Sequence, residues 1–83
     1  MNIHAVCMSV SSLQQKRACL AANLRKHRLA LNLSQERLAL DANIDRTFVS
    51  QIERGIGNPS LRILCQLADR LEVDLVMLFK PAA

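Results

Sequence analysis

The chain has 83 residues, a formal net charge of +4 and an apolar fraction of 51%, the profile of one small domain with a packed core. Phe48 and Phe79 are the only aromatic residues and no period-two alternation appears, so a helical bundle is expected rather than a sheet. No apolar run is long enough to span a bilayer, and the mildly apolar opening precedes its positive residues, the reverse of a secretion signal.

Charge is unevenly spread. Residues 1–35 carry Lys16, Arg17, Arg25, Lys26 and Arg28 and no acid, whereas the remainder has six basic and seven acidic residues. A polyanionic partner explains one positive end, and so does a cationic solubilising surface.

In chain order, residues 1–11 read as a tail, or as an arm that orders only against something else. Ser11 or Ser12 starts a first helix from Leu13 to about Leu31, with an apolar stripe of Leu13, Leu20, Ala21, Leu24 and Leu31 and with Lys16, Arg25 and Lys26 off it. Arg28 falls close to that stripe. Leaning inward it needs an acid, for which Glu53 is the candidate; leaning outward it is solvated.

Asn32 ends the first helix, since Asn tolerates the left-handed conformation. Ser34 caps a second helix that ends at Ala42, with Leu33 and Leu38 spaced for a hydrophobic staple and Leu38, Ala39 and Ala42 facing inward. Ala42-Asn43-Ile44 is a tight turn into a third helix, capped by Asp45 and stopped by Gly55. Val49 and Ile52 face inward on it, while Arg46, Thr47, Ser50 and Gln51 fall largely on the other side.

Ser60 caps a fourth helix with apolar positions Leu61, Leu64, Cys65, Leu67, Ala68 and Leu71. Asp74 caps a short fifth helix, Leu75-Val76-Met77-Leu78-Phe79, whose consecutive apolar residues cannot all face one side. Either a second copy of the protein covers the surplus or the amino-terminal segment folds over it. Residues 81–83 form a short carboxy-terminal tail. Cys19 and Cys65 read as buried thiols among apolar neighbours and Cys7 lies in the tail, a usage that fits a reducing cytosol and no zinc site.

Two short helices joined by a turn make a helix-turn-helix candidate. With the third helix in a major groove, Arg46 offers a bidentate contact to guanine or a grip on phosphate. Thr47 donates to a base or presents a methyl to thymine, Gln51 pairs with adenine, and Ser50 has a shorter reach. Gln35, at the positive end of the second helix, is a candidate phosphate contact, as are Lys26, Arg54 and Asn43. Phe48 stays open between a DNA contact, a partial core residue and an interface residue. Taken singly, each of these residues also has a plain reading as a helix-start polar, a turn residue or a solvated charge.

Catalysis is not expected. His4 and His27 are unclustered, there is no acid pair or nucleophile arrangement, and no glycine-rich phosphate cradle or cofactor site is present in the sequence.

The pieces Leu24-Arg25 to Arg28, Leu33-Ser34-Gln35-Glu36, Ile44, Thr47, Ser50, Ile52-Glu53-Arg54-Gly55 and Asn58-Pro59-Ser60, in this order, resemble the phage-repressor-like helix-turn-helix family of the Xre or Cro/C1 type. The run Asn43 to Arg54 is also similar to the controller proteins of restriction-modification systems. The resemblance implies an all-α, compact five-helix, lambda-repressor-like domain over residues 12–80. Such a domain binds double-stranded DNA as a homodimer, is cytoplasmic, and regulates transcription from a partly palindromic operator, with RNA polymerase as a further contact in the activating case.

It also implies roles. Gln35 fixes the complex at the groove edge, Arg46, Thr47 and Gln51 stand at recognition positions with Ser50 beside them, and Asn58 approaches the backbone. Arg28 and Glu53 match an internal ion pair. The last helix, with Leu75, Met77, Leu78 and Phe79, supplies the dimer contact. The chain departs from the family at Glu72, where a small residue or Gly is common, so a different turn is expected there, and in its extended amino terminus. The alternative function is a protein-interaction module, such as an antitoxin or adaptor, working through the apolar carboxy-terminal helices.

Overall fold

The structure, a computed structural model, describes residues 11–81. They form four α-helices, α1 (Ser12–Ala30), α2 (Gln35–Ala42), α3 (Arg46–Glu53) and α4 (Leu61–Leu71), and a closing 3-10 helix, Leu75–Phe79. The tails lie outside the described residues, apart from Ser11 and Pro81. Ser11 belongs to the domain rather than to a tail: its hydroxyl accepts from the Gln14 amide at 3.1 Å while the Gln14 side chain accepts from the Ser11 amide at 3.4 Å, a reciprocal cap on α1.

Every later element starts the same way, with a short polar side chain accepting from the first turn. Ser34 accepts from Arg37 N (2.9 Å), Asp45 from Thr47 N (3.0 Å), Ser60 from Ile63 N (3.2 Å) and Asp74 from Val76 N (3.1 Å). These bonds satisfy amides that have no partner inside the helix. The ends are set by left-handed residues: Asn32 at φ 57°, Asn43 at φ 59°, Gly55 at φ 75° and Glu72 at φ 59°. Glu72 therefore takes the conformation usual for glycine, and the Val73 amide closes the turn on the Ala68 carbonyl at 3.1 Å. Gly57 is required for a different reason, since a Cβ there would meet Ile52 N at 3.0 Å.

The expected short fifth helix is present as a single 3-10 stretch. Met77 N donates to Asp74 O at 2.8 Å, a three-residue step, and Pro81 disfavours helical backbone at Lys80, leaving too little chain for a four-residue ladder.

The core draws one fully buried large side chain from each element: Leu24, Leu38, Val49, Leu67 and Leu78. α1 packs on α3 and on the 3-10 helix, α2 on α3 and α4, and α4 on the 3-10 helix. Three expectations are corrected here. Leu13 and Leu31 are exposed, because the buried stripe of α1 is Leu20, Asn23, Leu24 and Arg28. Cys65 is exposed and Cys19 half-buried, since α4 turns Leu64, Leu67, Ala68 and Leu71 inward and leaves Leu61 and Cys65 at the edge of that stripe. Leu78 is wholly enclosed by its own chain and presents no surface to a second copy.

Two polar anchors join the elements. Asn23 donates its amide to the carbonyls of Leu78 (3.1 Å) and Lys80 (2.7 Å), tying the end of the chain to α1. Arg28 makes a two-pronged contact with Glu53, Nε to Oε2 at 2.6 Å and Nη2 to Oε1 at 2.9 Å, and donates Nη1 to the Leu33 carbonyl at 2.7 Å. Gln35 completes the group, donating Nε2 to Glu53 Oε1 at 3.1 Å. The two charged side chains are only 9% and 2% exposed. Hydrogen bonding to Glu53 outweighs burial and holds the guanidinium pKa above its ordinary value, so Arg28 stays charged at any pH where the protein is folded.

Removing one partner leaves the other buried and unpaired. Glu53→Ala is therefore expected to destabilise the fold by ~3–5 kcal/mol in urea denaturation. A third anchor is sensitive to acid: Asp41 accepts from Arg70 Nε at 2.7 Å and pairs with Arg37 at 3.0 Å. The Arg70 hydrogen bond, with help from Arg37, holds the carboxyl below its ordinary value of 3.8. A depressed folded-state pKa stabilises fully above the unfolded value and is lost as pH falls through the folded one. Unfolding midpoints measured from neutral pH down through 3.8 should thus fall less steeply for Asp41→Asn than for the parent chain.

Candidate nucleic-acid interface

α3 is eight residues long and buries only Val49 and Ile52, three residues apart on one side. Apart from Glu53, whose side chain turns in to Arg28 and Gln35, the helical repeat turns the remaining side chains outward. Arg46, Thr47, Ser50, Gln51 and Arg54 line a single open concavity along the outer face. None of these five side chains makes a hydrogen bond or ion pair with another described residue, so their donors are free for an outside ligand. Two guanidiniums, two hydroxyls and one amide line the concavity, and no carboxylate does. That combination suits a ligand bearing both negative charge and planar acceptor edges.

The opposite flank of α3 is different. Asp45, Thr47, Phe48 and Gln51 line a second concavity that shares Thr47 and Gln51 with the first. Phe48 is 43% exposed there.

α3 is held in place from below. Glu53, its last residue, is gripped by Arg28 and Gln35, and the turn after it folds back so that Ile56 N and Gly57 N both donate to the Gln51 carbonyl at 3.1 Å. Arg17 Nε reinforces this loop from α1, donating to the Gly57 carbonyl at 3.1 Å.

The remaining candidate contacts are dispersed. Gln35 is half-buried and its amide group faces Glu53. Lys26 lies beside Asn23, His27, Met77 and Lys80, toward the chain end and away from the α3 concavities. Asn58 sits with Lys16, Arg17 and Pro59. Asn43 is exposed at the left-handed turn, among Asp41, Gln66, Asp69 and Arg70. The phosphate set named from the sequence is thus spread over several separate surfaces, with only Arg54 beside the base-reading set. Arg17 and Asn23 were not singled out from the sequence. Both act on backbone carbonyls at least forty residues away, a relation no local pattern announces.

Among the described residues no three His, Cys, Asp or Glu side chains gather as metal ligands, and no helix is long and apolar enough to cross a membrane.

Comparison with known proteins adds a family to this geometry. The helix-turn-helix family model HTH_3 matches residues 24–78. No curated protein sequence matches significantly. Among solved structures, the restriction-modification controller protein C.AhdI from Aeromonas hydrophila is 38% identical, with 76% of this chain and 96% of that chain covered and a TM-score of 0.73. The hypothetical transcription factor NHTF from Neisseria is also 38% identical, with 84% and 79% covered and a TM-score of 0.78. The wild-type controller protein C.Esp1396I is 34% identical, with 84% and 88% covered and a TM-score of 0.69. With α2 and α3 as its two motif helices, the chain belongs to the helix-turn-helix family of the Xre or Cro/C1 type and is a DNA-binding transcriptional regulator.

Proposed function

We propose that the protein binds a partly palindromic operator as a homodimer, each subunit placing α3 in a major groove. The observation that carries this reading is the outer concavity of α3, where Arg46, Thr47, Ser50, Gln51 and Arg54 converge without partners among the described residues. A major groove admits one helix and displays a distinct donor and acceptor pattern for each base pair. Arg46 then reads guanine or grips phosphate, Gln51 reads adenine, Thr47 reads a base edge, and Ser50 assists at short range. Arg54, beside the base-reading set, supplies a backbone contact, which fixes register rather than sequence, while Gln35, Lys26, Asn58 and Asn43 stand on other surfaces.

Half-sites lie about one helical turn, roughly 34 Å, apart, so that two-fold protein symmetry meets two-fold DNA symmetry. Leu75, Met77 and Phe79 are half-buried and Val76 is 61% exposed. On this reading these side chains, without Leu78, supply the subunit contact. The controller proteins C.AhdI and C.Esp1396I support placing this chain in a restriction-modification setting. Repression follows where the operator overlaps a promoter, and activation where the bound dimer touches RNA polymerase. The same apolar side chains also suit a different protein as partner, the reading as an antitoxin or adaptor.

Selection from a random duplex library at fixed salt tests the proposal. Wild-type protein is expected to recover an inverted repeat, and Gln51→Ala or Arg46→Ala to lose ~1–3 kcal/mol on that site while keeping its weak binding to random DNA. Equal losses on both DNAs would remove these residues as base readers. In sedimentation the free protein is expected at twice its 9.3 kDa chain mass, falling toward the monomer for Leu75→Glu. A folded monomer that selects no site would instead favour the protein-binding reading.

A further inference from the structure

Phe48 is the exposed large apolar side chain of α3, and the polar readout leaves it unexplained. It is 43% exposed and shares its concavity with Asp45, Thr47 and Gln51. The lining contains no cation and one carboxylate, whose Oδ1 already caps the Thr47 amide. A phosphate is therefore the wrong ligand for this flank, on charge alone. The neighbouring concavity, with Arg46 and Arg54, has the opposite character.

The two concavities meet at Thr47 and Gln51, so a ligand that occupies the first runs directly into the second. In a major groove the one apolar group on a base edge is the C5-methyl of a pyrimidine. We propose that Phe48, with the methyl of Thr47 beside it, reads a pyrimidine C5-methyl next to the base read by Gln51. In unmodified DNA that methyl belongs to thymine; in methylated DNA 5-methylcytosine presents the same group. The inference rests on α3 entering the groove as proposed above. α3 then has two chemically different flanks, a cationic one for acceptors and an apolar, anion-bearing one that excludes backbone phosphate and leaves a methyl as the favourable contact.

The experiment uses the full chain and the duplex recovered by library selection. Each thymine of one half-site is replaced in turn by uracil, which lacks only the methyl, and binding is measured at fixed salt for wild type, Phe48→Ala and Phe48→Leu. At one position the replacement is expected to weaken wild-type binding about four-fold, the value of burying one carbon at ~0.8 kcal/mol. Phe48→Ala should not distinguish thymine from uracil there, and Phe48→Leu should still do so. At that position cytosine and 5-methylcytosine then separate the two sources of the methyl. Recovery with 5-methylcytosine assigns readout of either base, and no recovery assigns thymine alone.

The same thymine-to-uracil ratio for wild type and Phe48→Ala at every position would overturn the proposal, while a retained Gln51→Ala effect would leave the underlying readout standing. A Phe48→Ala protein that is folded by circular dichroism but sediments at a lower mass than wild type would assign Phe48 to the subunit contact and overturn it too. Failure of the wild type to select any site would overturn both.

Discussion

One carboxylate organises the helix-turn-helix. Glu53 ends α3 almost fully enclosed, and a buried charge is tolerable only when its lone pairs are filled. Three donors fill them: two from Arg28 on α1 and one from Gln35 at the start of α2. The third arm of Arg28 reaches the Leu33 carbonyl in the connection between α1 and α2. A single cluster thus fixes the end of α1, the loop after it, the first residue of α2 and the last residue of α3. The angle at which α3 presents its outer face is set by this cluster on one side and by Val49 and Ile52 in the core on the other. Apolar packing alone tolerates small sliding; a two-pronged guanidinium contact fixes direction as well as distance.

Much of this fold was legible in the sequence because the signals are local. Ser34, Asp45, Ser60 and Asp74 announce helix starts by residue type, and Asn32, Asn43 and Gly55 announce ends, all within one turn of the groups they satisfy. What escaped was non-local. α1 reads as an apolar stripe from Leu13 to Leu31 with Arg28 leaning in toward Glu53, yet its buried residues include a second polar one, Asn23. Asn23 is buried because carbonyls at Leu78 and Lys80 need its amide, a reason that lies 55 and 57 residues away. Cys65 illustrates the converse: apolar character alone did not say that α4 would turn its edge outward.

The outer face of α3 was legible for a simpler reason. Once Val49 and Ile52 are assigned inward, the helical repeat leaves no choice about Arg46, Thr47, Ser50 and Gln51. Residues outside that helix carry no such guarantee. Lys26, Asn58 and Asn43 share charge or polarity with the α3 set, but their positions follow from how three other segments pack. The lesson is one of range: periodicity orders side chains within an element, and only tertiary contacts order the elements themselves.

The five enclosed side chains, one per element, have a consequence for how long such a protein survives in a cell. No described element can peel away without exposing a core residue, so opening any one of them costs about 1.5–3 kcal/mol for that side chain alone. A protease that needs an unfolded stretch acts on such open states, and where opening and closing are fast relative to cleavage its rate of attack follows their equilibrium population. The level of this regulator is thereby coupled to its stability. A change of one or two kcal/mol anywhere in the core alters its abundance several-fold without touching a residue of α3's outer face.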